Sequence, residues 1–217
     1  MRNIIIVCST IIFLVSCKKD EIIPPSVTIC NQVWMLKNLD VSKYRNGENI
    51  QQARTDQEWV YAANNRMGTW CYYENNSGNG EKYGKLYNWY AVTDPRGLSP
   101  EGWHIPTDEE WTNLYECVGG SAVAGGELKE TGTINWLPPN HGATNNSSFT
   151  ALPGGLRAVI TGSSTTFFHG NEFGVWWSAT EESAALAWAR GMYYNSTDAG
   201  RSTRQKLSGF SVRCVRD

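Results

Sequence analysis

The chain has 217 residues, with 19 Lys or Arg against 21 Asp or Glu, and a formal net charge of -2. This slightly acidic balance is unlike the basic footprint of proteins that bind DNA or RNA, so we expect no nucleic-acid partner. Ten Trp, ten Tyr and 21 Gly are typical of a loop-rich, mainly β extracellular domain, and the length suits one domain with a real core.

The chain begins with a short basic segment followed by an apolar run. Arg2 precedes residues 4–15, which are almost wholly apolar. The run is too short to cross a bilayer as a helix, which takes about 20 residues, and it has the length of a signal-peptide core. It ends near Leu14, and Cys17 follows after two further residues. This ending resembles the lipobox of bacterial lipoproteins.

The lipobox resemblance implies a lipid anchor on Cys17. Cleavage before Cys17 would make residues 1–16 a signal peptide and residues 17–26 a lipidated tether. Several acyl chains on one cysteine would anchor the protein stably, since a single chain binds a membrane only marginally. Residues 18–21 resemble the surface-export tag of some Bacteroidetes lipoproteins. We therefore expect a protein lipid-anchored in the bacterial outer membrane, on the cell surface if the tag acts; the alternative is a buried apolar strand with an incidental cysteine.

Four cysteines remain after the signal peptide and the lipidated cysteine are set aside: Cys30, Cys71, Cys117 and Cys214. Export to an oxidising compartment permits disulfides. Four cysteines allow three pairings, and their spacing does not distinguish them. The chain has no Cys-x-x-Cys pair, which argues against a metal cluster or a redox motif.

Two segments, residues 55–59 and 107–111, share the pattern Thr-Asp-x-Glu-Trp. Each is a capping-box signature, in which the Thr hydroxyl accepts from the backbone at Glu and the Glu side chain returns to the Thr amide. Trp59 and Trp111 should then face the core. We predict helices over three segments: about 56–65, about 108–118 and a shorter one at 124–130.

Short apolar stretches between turns rich in Gly, Pro and Asn predict strands in the rest of the chain. They lie at about 27–35 as a turn-linked pair, and at about 86–92, 156–160, 174–179, 187–194 and 209–215. Two capped helices with many short strands predict an α+β fold. No break in composition divides residues 27–217, so we expect one domain there.

Several short phrases stand out along the chain. They are Val-Trp-Met-Leu-Lys-Asn-Leu (33–39), Trp-Cys-Tyr-Tyr (70–73), Tyr-Gly-Lys-Leu-Tyr-Asn-Trp (83–89), Pro-Glu-Gly-Trp-His-Ile-Pro-Thr (100–107), Ala-Leu-Pro-Gly-Gly (151–155), Trp-Trp-Ser-Ala-Thr (176–180) and Gly-Phe-Ser-Val-Arg-Cys-Val-Arg-Asp (209–217). In this order they resemble the Fibrobacter succinogenes major paralogous domain family over residues 27–217. The resemblance implies a C-type-lectin-like fold, with two main helices, short antiparallel strands, long loops, and the first and last strands side by side.

The resemblance also implies one disulfide. Cys71 and Cys214 occupy family positions, and a bridge from the first helix to the last strand recurs in C-type-lectin-like folds, so we expect Cys71–Cys214. Cys30 and Cys117 lie where relatives more often have other residues, and they would be free buried thiols.

No catalytic constellation stands out. The three histidines, His104, His141 and His169, have no ligand-spaced partners, and the zincin, nucleophile-elbow and P-loop patterns are absent. The Trp-His-Ile-Pro-Thr phrase and the C-terminal phrase also resemble formylglycine-generating enzymes. Those enzymes bind copper through a pair of nearby cysteines that this chain lacks, so we expect no enzymatic activity.

Calcium is the cofactor that the fold resemblance leaves open. Sugar-binding C-type lectins coordinate calcium and sugar hydroxyls with Glu-Pro-Asn or Gln-Pro-Asp and a Trp-Asn-Asp phrase. Here residues 138–140 are Pro-Pro-Asn and residues 177–179 are Trp-Ser-Ala. Calcium takes six to eight oxygen ligands, and no loop of alternating aspartates supplies them. We expect no cofactor, with calcium-dependent sugar binding as the alternative.

Residues 181–208 are the candidate contact surface. Related diversity-generating ligand-binding proteins place their variable binding residues between the two phrases that flank this stretch. The segment contains aromatic and arginine side chains, which are favoured binding anchors. The candidates, which we expect to be exposed, are Trp188, Arg190, Tyr193, Tyr194, Asn195, Arg201 and Arg204.

Strand alternation puts Trp188 and Arg190 on one face and Tyr193 on the other, and the alternative is that Trp188 and Tyr193 are simply core. The function predicted is a non-catalytic, membrane-anchored binding module for a glycan or a protein. Two alternatives stay open: a structural envelope lipoprotein without a discrete ligand, and a relative of the formylglycine-generating enzymes.

Overall fold

A computed structural model describes residues 24–161 and 164–217. The expected signal peptide, the lipidated Cys17 and most of the tether lie outside the described residues. In the part of the chain that is described, twelve strands form four sheets, and five short α-helices accompany them. None of these helices has the length and apolar character needed to cross a membrane.

In chain order the elements are β1 (Ser26–Ile29), β2 (Gln32–Met35), β3 (Gln51–Gln52), α1 (Asp56–Asn64), β4 (Thr69–Cys71), a 3-10 turn (Tyr73–Asn75), α2 (Ser77–Tyr83), β5 (Leu86–Tyr87), α3 (Trp89–Val92), β6 (Trp103–His104), α4 (Asp108–Cys117), α5 (Ser121–Leu128), β7 (Leu156–Thr161), β8 (Ser164–Phe168), β9 (Phe173–Glu181), β10 (Leu186–Tyr193), β11 (Ala199–Gln205) and β12 (Val215–Arg216).

The largest sheet joins the two ends of the domain. Its strand order is β1-β2-β12-β6, and Val215 of β12 pairs with Trp34 of β2 and with His104 of β6. The N-terminal hairpin and the C-terminal strand are therefore neighbours, although the strand beside β12 is β2 and not the first strand, β1. The other sheets have the orders β11-β10-β9, β3-β4-β5 and β7-β8.

Both predicted capping boxes are present. At the start of α1, Thr55 Oγ1 accepts from the Glu58 N–H at 3.2 Å, and Glu58 Oε2 accepts from the Thr55 N–H at 3.1 Å. The same reciprocal pair caps α4. Trp59 and Trp111 are fully buried, as predicted. The predicted third helix corresponds to α5 and begins at Ser121.

The sheet β11-β10-β9 separates the two largest hydrophobic clusters. Trp177 and Ala189 belong to the cluster on one face, and Trp176 and Met192 belong to the cluster on the other. Burying a large apolar side chain contributes about 1.5–3 kcal/mol. Both faces of the central strand are therefore fixed by packing, which makes this sheet a rigid support for the segment that follows it.

The expected α+β architecture, C-type-lectin-like with two main helices, is wrong. The described part is mainly β: strands outnumber helices, and the longest described helix has 10 residues. Part of the strand predicted at 86–92 is helix α3, because the Asn88 side chain accepts from the Ala91 N–H and caps it. Four short sheets, rather than a pair of helices, organise the core.

The expected Cys71–Cys214 bridge is also wrong. Cys30, after β1, is bonded to Cys117 at the end of α4, with 6.5 Å between the Cα atoms. Cys71 and Cys214 form no disulfide and are fully buried in separate hydrophobic clusters. Burial raises the pKa of both thiols to about 12, so both remain protonated and unreactive at neutral pH.

Candidate binding site

The candidate residues lie on and beside the antiparallel hairpin of β10 and β11. Its register pairs Arg190 with Arg201 and Ala187 with Arg204. Residues paired across an antiparallel ladder point to the same face, and neighbours along a strand alternate. Arg190 and Arg201 therefore share one face, and Arg204 shares the opposite face with Tyr193. A cleft lies on each face of β11.

The helix-side cleft lies between this hairpin and helices α4 and α5 and has a volume of about 520 Å³. Thr112 and Tyr115 of α4, Ser121 of α5, and Arg190 and Arg201 are among the residues that line it. The N-terminal residue of α4 joins the helix to both strands. Asp108 Oδ1 accepts from Arg190 Nη2 at 2.6 Å, and Asp108 Oδ2 accepts from Arg201 Nε at 2.8 Å.

Arg190 is a packing residue, and the expectation that it is exposed is wrong. It is 2% exposed. Its Nη2 also donates to the Asp108 carbonyl at 2.6 Å and to Thr112 Oγ1 at 2.8 Å. The guanidinium lies 5.2 Å from the centre of the Tyr115 ring. Asp108 draws the guanidinium beneath the hairpin, where it fixes β10 to α4.

Arg201 lies on the same face but reaches solvent. Its side chain is 45% exposed, and its guanidinium lies 3.3 Å from the centre of the Trp188 ring. Trp188 is half-buried, so the stacked pair forms part of the outer surface. A cation–π contact at such a site contributes about 0.5–1 kcal/mol, which holds Arg201 in place beside the cleft.

The aromatic-side cleft lies on the opposite face of β11. It consists of two spaces of about 370 Å³ and 300 Å³ that share Phe173, Tyr193 and Arg204. Tyr193 is 40% exposed and stacks on Phe173 with 4.0 Å between ring centroids, and His169 meets it edge-on at 6.0 Å. Gly191 allows this arrangement, because a Cβ there would lie 2.3 Å from the Phe173 ring.

Arg204 has an unused donor beside this cleft. Its Nε is buried and has no hydrogen-bond partner among the described residues. Leaving such a group unpaired costs free energy. The face that carries Tyr193 therefore combines an exposed aromatic ring with an arginine whose Nε has no hydrogen-bond partner among the described residues.

A family model that matches the whole domain identifies the family. A family model described as the Fibrobacter succinogenes major domain matches residues 27–216. The chain belongs to this family. No curated protein and no solved structure gives a significant match. This match confirms the family resemblance that the sequence phrases indicated. The matched region includes the hairpin and both clefts.

In this member of the Fibrobacter succinogenes major domain family, a buried lysine holds the turn between β10 and β11. Lys129 Nζ donates to the carbonyl oxygens of Tyr193 at 2.9 Å, Ser196 at 2.8 Å and His141 at 3.0 Å. Burial lowers the pKa of Lys129 to about 8. Sequence reasoning missed Lys129, since a single lysine after an apolar helix gives no signal that it turns inward.

The two remaining candidates lie in this turn. Tyr194 is half-buried and packs against the hydrophobic cluster that contains Trp176. Its backbone is also fixed, because its N–H donates to Glu172 O at 2.9 Å and its carbonyl accepts from the His141 N–H at 2.6 Å. Asn195 is exposed. Tyr194 is therefore largely a packing residue, whereas Asn195 is free to contact a ligand.

His104 lies away from the hairpin, between two carboxylates. Its Nε2 and Glu110 Oε1 are 2.7 Å apart, as are its Nδ1 and Asp217 Oδ1. Burial alone would lower the pKa of His104, but the hydrogen bonds and charges of Glu110 and Asp217 raise it above its ordinary value. Among residues 24–161 and 164–217, no group of three or more His, Cys, Asp or Glu side chains is placed to hold a metal ion.

Proposed function

We propose that this chain is a lipid-anchored protein of the bacterial envelope that binds a glycan or a protein through the β10–β11 hairpin, without catalysing a reaction. The observation that carries the proposal is the placement of Tyr193, Arg201 and Arg204 beside clefts on both faces of one outer strand. Aromatic and arginine side chains supply many binding hot spots, each contributing about 2 kcal/mol or more.

The rigidity of the hairpin supports this proposal. Arg190 fixes β10 to α4, and Lys129 fixes the turn. A surface whose side chains are already held loses little conformational entropy when a ligand binds. The exposed ring of Tyr193 and the stacked pair of Arg201 and Trp188 are therefore suited to recognition.

The proposed anchor rests on the sequence around Cys17. Lipid on that cysteine would leave a tether over residues 17–26, which spans at most about 35 Å when fully extended. The domain would then work close to the membrane that holds it. Growth of a producing bacterium with an alkyne-tagged fatty acid should label the chain and not its Cys17→Ser variant. Equal labelling of both would refute the anchor without bearing on the hairpin.

Ligand binding is tested with the purified full chain on glycan and protein arrays. Tyr193→Ala should raise the Kd of a ligand found there about 30-fold, the equivalent of about 2 kcal/mol. Tyr61→Ala is the matched control, because Tyr61 is 59% exposed on α1 and lines neither cleft. Absence of binding on both arrays, or the same loss in both variants, would refute the proposal.

A further inference from the structure

Within residues 24–161 and 164–217, no strand pairs with the outer edge of β11. The sheet β11-β10-β9 is closed at its other edge, where the Trp177 N–H donates to Ser211 O at 3.1 Å and the Ser211 N–H donates to Val175 O at 3.2 Å. At the β11 edge, one backbone bond is present within the described residues, from the Ser208 N–H to Gln205 O. The backbone groups of β11 that do not bond to β10 are thus available to another strand, apart from the Gln205 carbonyl.

The ladder itself shows which groups are available. The Lys206 N–H donates to Ala185 O at 3.0 Å, in continuation of the β10–β11 register. Inward and outward bonding alternate along an antiparallel strand. The even-numbered residues 200–206 therefore bond to β10, and Arg201 and Thr203 direct their backbone N–H and C=O groups outward. Together with Gln205, they form the template for one added strand.

The two clefts lie where the side chains of an added strand would go. Successive side chains of a strand point to opposite faces, so a peptide paired with β11 would place them alternately toward the helix-side and the aromatic-side clefts. Strand addition of this kind takes its affinity from main-chain hydrogen bonds and its specificity from pockets for alternate side chains. An open edge with a cleft on each face has both features.

Charge indicates what kind of strand fits. β11 carries Arg201 and Arg204 and no acidic residue, so a second copy of β11 would bring arginines close to arginines, and like charges across a ladder are destabilising. Acidic side chains would instead pair with them. Glu116 and Asp198 also line the helix-side cleft and would repel acidic groups. The acidic side chains of the added strand should therefore lie opposite residues 201–204.

We infer that the edge of β11 binds an extended acidic peptide segment of a partner protein as an added strand. This inference rests on the proposed function and names its ligand class. It assigns recognition to the backbone of Arg201 and Thr203, with the two arginines selecting for Glu or Asp in the added strand.

The probe is a panel of blocked heptapeptides with Glu or Asp at two positions three residues apart, one for each face of the added strand, and Thr, Val or Leu elsewhere. Titration of the full chain should give a Kd below about 1 mM for at least one member. Its lysine counterpart, and a version N-methylated at alternate amides, should bind at least about tenfold more weakly. Equal binding of the lysine or N-methylated peptide, or no binding by the whole panel, would overturn the inference.

Two variants distinguish the loss of a backbone donor at the strand edge from general damage to the fold. Thr203→Pro removes one outward N–H, a substitution that sheet edges tolerate, and should weaken binding about tenfold. Thr203→Val keeps that N–H and should bind like the parent. Unchanged binding in the proline variant would overturn the inference, as would a dimer of the parent chain that Thr203→Pro dissociates. If the chain binds an array glycan in a way that depends on Tyr193 but binds none of the peptides, this inference is refuted and the proposed function is not.

Discussion

Removing the Cys30–Cys117 bridge tests the fold most directly. The sulfurs join residues separated by 87 positions. For a loop of that length, the chain-entropy model gives a stabilisation of about 4.6 kcal/mol at 25 °C, and measured values are typically about 2–4 kcal/mol. Cys30 is exposed and Cys117 half-buried, so serine at both positions removes the cross-link with little loss of packing. We expect the free energy of unfolding to fall by about 3–4.6 kcal/mol.

Urea unfolding of the purified full chain measures this loss. With a slope of about 2 kcal/mol per molar urea, the midpoint of the double variant Cys30→Ser, Cys117→Ser should fall by about 1.5–2.3 M. A thiol reductant should lower the midpoint of the parent chain and leave the double variant unchanged. A reductant effect that persists in the double variant would refute the pairing, and so would a Cys71–Cys214 peptide in a non-reducing digest.

Two further predictions concern charged side chains. Asp108→Asn should lower the free energy of unfolding by about 3 kcal/mol, because buried Arg190 loses its counter-ion while keeping its carbonyl and hydroxyl acceptors. Glu109→Gln, at the exposed next position, is the control in the same urea assay. Equal losses in the two variants would contradict the prediction. His104→Gln should remove a stabilisation that is fully present below about pH 6.5, the ordinary pKa of histidine, and is lost as pH rises through the raised pKa of the folded state. Unfolding midpoints of parent and variant should therefore converge with rising pH, and a constant gap would contradict it.

The helices were predictable because their signals are local. In each capping box, Thr and Glu lie within four consecutive residues, and the pair satisfies backbone groups that have no other partner. The structure places α1 and α4 within a residue of their predicted ends. The burial of Trp59 and Trp111 follows from the same pattern, since both stand at the start of an amphipathic helix.

The sheets were harder to predict because their partners are distant in sequence. β5 and β12 contain two residues each, too few for the alternation that identifies a strand. Val215 belongs to a strand because Trp34 and His104 lie on either side of it. Composition favoured a mainly β domain, whereas the helix caps and the lectin resemblance favoured two main helices. The composition was the better guide to the proportion of strand and helix.

The candidate surface shows the same division between local and distant causes. A sequence pattern gave Arg190 and Arg201 equal weight, yet one is 2% exposed and the other reaches solvent. Asp108, more than 80 positions away in the chain, pairs with both guanidinium groups. Arg190 lies on the central strand, where Thr112 and Tyr115 of α4 also enclose it, whereas Arg201 lies on the outer strand. One carboxylate against two arginines leaves a net positive charge, and Arg204 adds another on the opposite face. Arg201 and Arg204 therefore make the middle of the outer strand locally cationic, although Glu116 and Asp198 also line the helix-side cleft. Acidic side chains opposite residues 201–204 are favoured over a second copy of the strand, which would bring arginines close to arginines.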